Sequence, residues 1–159
     1  MYFYRIAGAV MLVVSGMVGA YLMNSSESFM LSQADCYISL LRYIRIQVEC
    51  FAMPIGDIIL GCDRELLAGC GFRGDIPPTT LSELIRQCDI KDREICETVK
   101  GFADSFGKGY REEQLRECDY YIELLCERRR RIADELPKKK KLNTTLCVSW
   151  ALALVILFL

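Results

Sequence analysis

Nine cysteines lie in the 159 residues, at Cys36, Cys50, Cys62, Cys70, Cys88, Cys96, Cys118, Cys126 and Cys147. Thiolates are the side chains here with the widest chemistry, from zinc ligation to disulfide exchange and nucleophilic attack. Their spacing argues against all three. There is no Cys-x-x-Cys pair and no histidine, so the close ligand pairs of common structural zinc sites are missing. Cys62/Cys70, Cys88/Cys96 and Cys118/Cys126 are each eight residues apart, a spacing that returns near the same helix face. Several fall on apolar stripes, where a free thiol packs as a small hydrophobe. The predicted role is core packing by reduced thiols, with a thiol-based or metal-binding membrane protein as the competing reading.

Carboxylates offer the second chemistry. Glu112/Glu113 and Glu117/Asp119 flank Arg111 and Arg116 at helical spacing, which points to a solvated, ion-paired face rather than an acid/base pair. No Walker-type Gly-Lys-Ser/Thr run and no Gly-x-Ser-x-Gly occurs. The residues thus predict no enzyme, no catalytic group, no cofactor and no bound metal.

The third cluster is cationic. Arg128, Arg129, Arg130, Arg131 and Lys138, Lys139, Lys140, Lys141 oppose only Asp134 and Glu135, while Asn24 to Glu127 carries 19 acidic and 11 basic side chains. An acidic body repels phosphates, so a basic collar at 137–142 beside an apolar run predicts anionic lipid headgroups as its partner and excludes nucleic acid.

These groups need elements to hold them. Residues 6–23 are eighteen without a charge and predict a transmembrane helix; a cleaved signal peptide competes, but the run is long for one. Residues 143–159, seventeen long and roughly 25 Å as a helix, predict a second. The collar outweighs the lone Arg5, which places the intervening 25–136 in the cytosol with both termini opposite.

Within that domain, Ser25 or Ser26 is read as the cap of a helix reaching Ala52, with Ala34, Ile38, Leu41, Val48 and Phe51 on one face. Pro54 opens a second helix carrying Ile55, Ile58, Ile59, Cys62 and Leu66, stopped by Gly69 and Gly71. Thr80 with Glu83 reads as a capping box for a third, and Asp89 or Asp92 opens a fourth, ended by Gly107 and Gly109. From Tyr110 the chain reads as one nearly unbroken helix. Its stripe of Leu115, Cys118, Ile122, Leu125, Arg129, Ile132 and Leu136 is expected to be the most buried face, so that Ile122→Asp would unfold the domain. No segment alternates like a strand. The fold class is all-α, an antiparallel helical bundle between an N-terminal and a C-terminal transmembrane helix.

Two local patterns carry a resemblance. The first is Gln47, Val48, Glu49, Cys50, Phe51, Ala52, Met53, Pro54, Ile55 at the junction of the first two helices, and the second is Phe102, Phe106, Gly107 and Gln114. With the apolar start, the basic collar and the apolar carboxyl terminus, the chain resembles the stage III sporulation protein AB family. Gln47 stands where that family often has Glu, and Tyr110 where it often has Asp. The resemblance implies a non-enzymatic scaffold of the SpoIIIA–SpoIIQ-type channel, in the mother-cell membrane around the forespore. Its domain would be similar to the cytoplasmic domain of GspF-like platform proteins of type II secretion, and its partners a secretion-type, SpoIIIAA-like ATPase and other channel membrane proteins. Gln47, Glu49, Pro54, Phe102, Gly107 and Gln114 are the implied interface. A secretion or pilus platform outside sporulation is the alternative.

Overall fold

The computed structural model describes the backbone of residues 2–51 and 53–158. Side chains are described from residue 11 onward, except at 12, 13, 17, 20, 23, 52, 151, 152, 154, 155 and 157–159. Six helices follow one another: α1 (Tyr2–Phe51), α2 (Ile55–Leu60), α3 (Arg64–Gly69), α4 (Leu81–Gln87), α5 (Arg93–Ser105) and α6 (Arg111–Phe158). Among the described residues there is no strand, in agreement with the all-α expectation.

The expected transmembrane helices are overturned: among the described residues no helix is long and apolar enough to cross a membrane. The run at 6–23 is the start of α1, which continues without a break through Asn24, Ser25, Ser26 and Glu27. The run that begins at Asn143 lies in the end of α6, which reaches Phe158, and Asn143, Thr144, Thr145 and Ser149 stand among its aliphatic residues. The side chains of 6–10 and most of 151–159 lie outside the described residues.

The chain divides into two compact units, Met1–Phe29 with Ile132–Leu159, and Met30–Arg131. In the first, Lys139 pairs with Glu27 at 3.4 Å and Asn24 Nδ2 donates to Thr144 Oγ1 at 3.5 Å, as expected of two helical segments running antiparallel. In the second, Arg129 pairs with Asp35 and Arg45 with Asp119 at 2.8 and 2.6 Å, so the partner number rises in α1 as it falls in α6.

Local chemistry explains the breaks in the second unit. Pro54 forces the residue before it out of helical geometry, and its carbonyl accepts from the Asp57 and Ile58 N–H groups at 3.1 and 3.2 Å to start α2. The predicted second helix is cut in two because Asp63 Oδ1 accepts from the Glu65 N–H at 3.0 Å, an N-cap that restarts the chain as α3. The end of α3 is a Schellman turn: Phe72 N–H reaches Leu67 O at 3.0 Å, Gly71 N–H reaches Ala68 O at 2.9 Å, and Gly71 takes φ +100°. Thr80 precedes α4 as expected, but its side chain makes no cap, and Glu83, the other half of the expected box, accepts from Arg86 and Gln87 instead. Asp92 does cap α5, accepting from the Ile95 N–H at 2.9 Å.

The most buried helix face belongs to α1, not α6. Gln33, Ala34, Tyr37, Ile38, Leu40, Leu41, Ile44 and Val48 are all buried, whereas in the α6 stripe only Cys118, Leu125 and Ile132 are, with Leu115, Ile122, Arg129 and Leu136 half-buried. The spacing of seven between the three buried residues shows why: α6 turns a narrow seam inward, while α1 is covered over a broad arc.

Gln33 sits in that arc, 0% exposed, and forks between two connections. Its Nε2 donates to Cys70 O at 3.1 Å and to Asp89 O at 2.8 Å, and its Oε1 accepts from the Lys91 N–H at 3.0 Å. Tyr37 OH adds a bond to Cys70 O at 2.9 Å. A buried carboxamide is stable only when both its ends are satisfied, and here the unpaired carbonyls of two turns supply the partners.

Candidate functional site

The two motifs, some fifty residues apart in sequence, meet at one groove. It has a volume of ≈ 340 Å³ and is lined by Val48, Met53, Pro54, Ile55, Phe106, Gly107, Arg111 and Gln114. One wall is the Met53–Pro54–Ile55 connection that ends α1 and opens α2. The other is the turn between α5 and α6, shaped by Gly107 at φ +88°, a conformation that suits glycine.

Each wall is fixed from behind. Phe102 is 0% exposed and supports Phe106, their ring centroids 4.8 Å apart, while Tyr121 packs edge-on against Phe102 at 5.4 Å. Gln114 Nε2 donates to Gly109 O at 2.9 Å, and Glu113 Oε2 accepts from the Tyr110 N–H at 3.1 Å, which together tie the turn to the first turn of α6. Arg111 Nη2 donates to Glu49 O, joining the end of α1 to the start of α6. Glu49 itself is held by Arg45 at 2.6 Å.

Of the six residues expected at an interface, Pro54, Gly107 and Gln114 line the groove. Phe102 lies beneath it, Glu49 offers it only a backbone carbonyl, and Gln47 is half-buried on α1 outside it. Ala52, between the two halves of the first motif, is outside the described residues. Met53 and Phe106, members of the two motifs, line the groove although neither was expected at the interface, and Arg111, read from the sequence as part of an ion-paired face, lines it as well. Phe51, two residues before Met53, and Tyr110, next to Arg111, are 65% and 86% exposed. A trough in which Val48, Met53, Ile55 and Phe106 stand beside Arg111 and Gln114 is suited to holding another chain, and nothing in its lining is a nucleophile.

The arginines of the expected collar are largely engaged within the bundle. Arg128 binds Asp92 at 2.6 Å and Glu94 at 3.0 Å, Arg131 binds Glu94, and Arg129 binds Asp35. Burial alone would raise the Asp92 carboxyl, but the Arg128 guanidinium and the Ile95 N–H outweigh it and hold it below the usual 3.8. Arg130 is exposed. Among the lysines, Lys139 pairs with Glu27 and Glu135, Lys138 and Lys141 are exposed, and Lys140 is half-buried.

All nine cysteines are free. Cys62, Cys70 and Cys118 are buried and only Cys50 is exposed, which fits packing. Burial, helped by neighbouring Asp119, pushes the Cys118 thiol up to about 12, and burial likewise raises Cys36, Cys62, Cys70 and Cys88. Among the described residues no group of Cys, Asp or Glu is arranged to hold a metal ion.

No curated protein and no solved structure matches the chain. A family model does, that of Stage III sporulation protein AB, over residues 75–159. The matched segment is more than half of the 159 residues and contains α4, α5, α6 and the whole second wall of the groove, from Phe102 to Gln114. The chain belongs to the stage III sporulation protein AB family.

Proposed function

We propose that this sporulation protein is a non-enzymatic adaptor of the channel that joins mother cell and forespore, coupling the channel's membrane proteins to a secretion-type ATPase. The groove between Pro54–Ile55 and Phe106–Gly107 is the docking surface. The single observation that carries this reading is the convergence of both family-like motifs on one groove, where the apolar Val48, exposed Met53, Ile55 and Phe106 meet. A site that works by contact needs shape and apolar area, and this one has both.

The remaining cations, Arg130, Lys138, Lys140 and Lys141, have a second role in this reading as contacts for anionic lipid headgroups of the surrounding membrane. The adaptor role is tested by binding of the purified full chain to the purified secretion-type ATPase of the same organism. Saturable binding, weakened by Met53→Asp in a protein that melts like the wild type, is the expected result. Absence of binding, together with normal sporulation of a deletion strain, overturns the assignment.

A further inference from the structure

Arg111 lies in the lining of the groove and is the one charged residue there. Its guanidinium is bound to a backbone carbonyl, that of Glu49, and among the described residues it forms no ion pair. Seven other arginines, among them Arg45, Arg86, Arg93 and Arg128, each lie within 4.0 Å of a carboxylate, and the described arginines that do not, Arg42, Arg64, Arg116 and Arg130, lie outside the groove lining.

The acids nearest Arg111 in sequence or space do not claim it. Glu49 turns its carboxylate to Arg45, Glu113 turns its own to the Tyr110 N–H, and Glu112 is exposed. A guanidinium has five N–H donors in a planar fork, and one carbonyl leaves most of them available. Its neighbours in the lining, Val48, Met53, Ile55 and Phe106, are apolar. Arg111 is exposed, so a carboxylate brought there by a docking segment would reach a charge-assisted, bidentate partner that the segment's own apolar side chain then covers.

We propose that the groove takes a segment of a partner protein that presents a large apolar side chain and, within a few residues of it, a carboxylate that closes on the Arg111 guanidinium. The inference rests on the docking role of the groove and names the chemistry of what docks. The apolar anchor fills the trough between Pro54–Ile55 and Phe106–Gly107, and the carboxylate fixes its register. Against a neutral or basic segment the same groove leaves a cation without its partner, which gives discrimination as well as affinity.

The test is a random peptide library displayed on phage and selected on the full-length chain, with synthetic versions of the enriched sequences then titrated against variants. The expected peptides combine an aromatic or large aliphatic residue with Asp or Glu, and bind Arg111→Gln about tenfold more weakly than wild type. Charge reversal is the stronger arm: Arg111→Glu should lose the acidic peptide and gain its Glu→Lys counterpart, with both variants melting close to wild type. Failure to enrich any peptide, enrichment without acidic bias, or equal affinity for Arg111→Gln overturns the inference. So does concentration-dependent self-association abolished by Met53→Asp, since the occupant is then a second copy. The purified ATPase separates the two levels of the reading. If it binds Arg111→Gln as tightly as wild type, the carboxylate partner is wrong and the adaptor role stands. If acidic peptides bind and the ATPase does not, the partner chemistry stands and the ATPase assignment falls.

Discussion

Arg128 closes on Asp92 through two hydrogen bonds, Nη2 to Oδ2 at 2.6 Å and Nε to Oδ1 at 3.3 Å, while the same carboxylate caps α5. A residue that reads as one of eight surface cations thus serves as the counter-ion of a buried N-cap. Asp92 is held below its ordinary 3.8, so its contribution to stability is complete above pH 3.8 and is lost as pH falls through the lower folded-state value. Arg128→Met is expected to cost about 2 kcal/mol at neutral pH, because it leaves the carboxylate buried without its partner. In urea titrations the gap between variant and wild type should narrow below pH 3.8 as Asp92 takes up its proton. A gap that is unchanged down to pH 2 would mean that the pair contributes nothing through ionisation.

Thiol reactivity separates the cysteines by position. Cys50 is exposed and should react first with maleimide on the folded protein at pH 8. Cys118, pushed up to about 12, and the buried Cys62 and Cys70 should react only after unfolding. Rapid labelling of Cys70 in the native state would show that the turn after α3 opens.

The α6 seam gives a graded packing test. Leu125 is 0% exposed and Ile122 is half-buried, so Leu125→Ala should cost about 3 kcal/mol and Ile122→Ala about 1 kcal/mol. An Asp at 122 has a route to water, which moves the expected collapse to Leu125→Asp. Equal losses at the two positions in thermal melts would show that α6 is rotated from the described orientation.

Two glycines with left-handed backbone should respond differently. At Gly107, φ +88°, an added methyl meets nothing within 4 Å, so Ala costs only the backbone strain of about 1–2 kcal/mol. At Gly71, φ +100°, the methyl would lie 2.8 Å from Asp89 O and 3.0 Å from Asp89 N, and Ala should cost about 3 kcal/mol or more. Comparable melting temperatures for the two variants would contradict the close approach of the two turns.

What the sequence made legible was governed by neighbours along the chain. Stripes at spacings of three and four gave the helical class, Pro54 and Asp92 gave two helix starts, and Gly107 gave a stop. What it concealed depended on partners far away. Ser25 and Ser26 look like caps, yet α1 runs through them. Thr80 and Glu83 look like a capping box, but Glu83 has Arg86 and Gln87 within reach and binds those instead. Gln33 interrupts an apolar face, the one visible sign of its role, but its acceptors at Cys70 and Asp89 are set by the assembled turns. The groove was half readable: Pro54, Gly107 and Gln114 carry it, while Arg111 gained its place only when α6 was set beside the end of α1.

The three hydrogen bonds of the Gln33 carboxamide close separations of 37, 56 and 58 residues. The complete set can form only once α1 has met both connections, so we expect this fork to belong to the descent from the transition state rather than to the nucleus. Its effect is then on lifetime: Gln33→Leu should leave the refolding rate nearly untouched while unfolding becomes roughly thirtyfold faster in a stopped-flow chevron. A slowed refolding limb would instead assign the fork to the earliest stage. On the expected outcome, one amide near the middle of a fifty-residue helix sets how long the native state persists between openings.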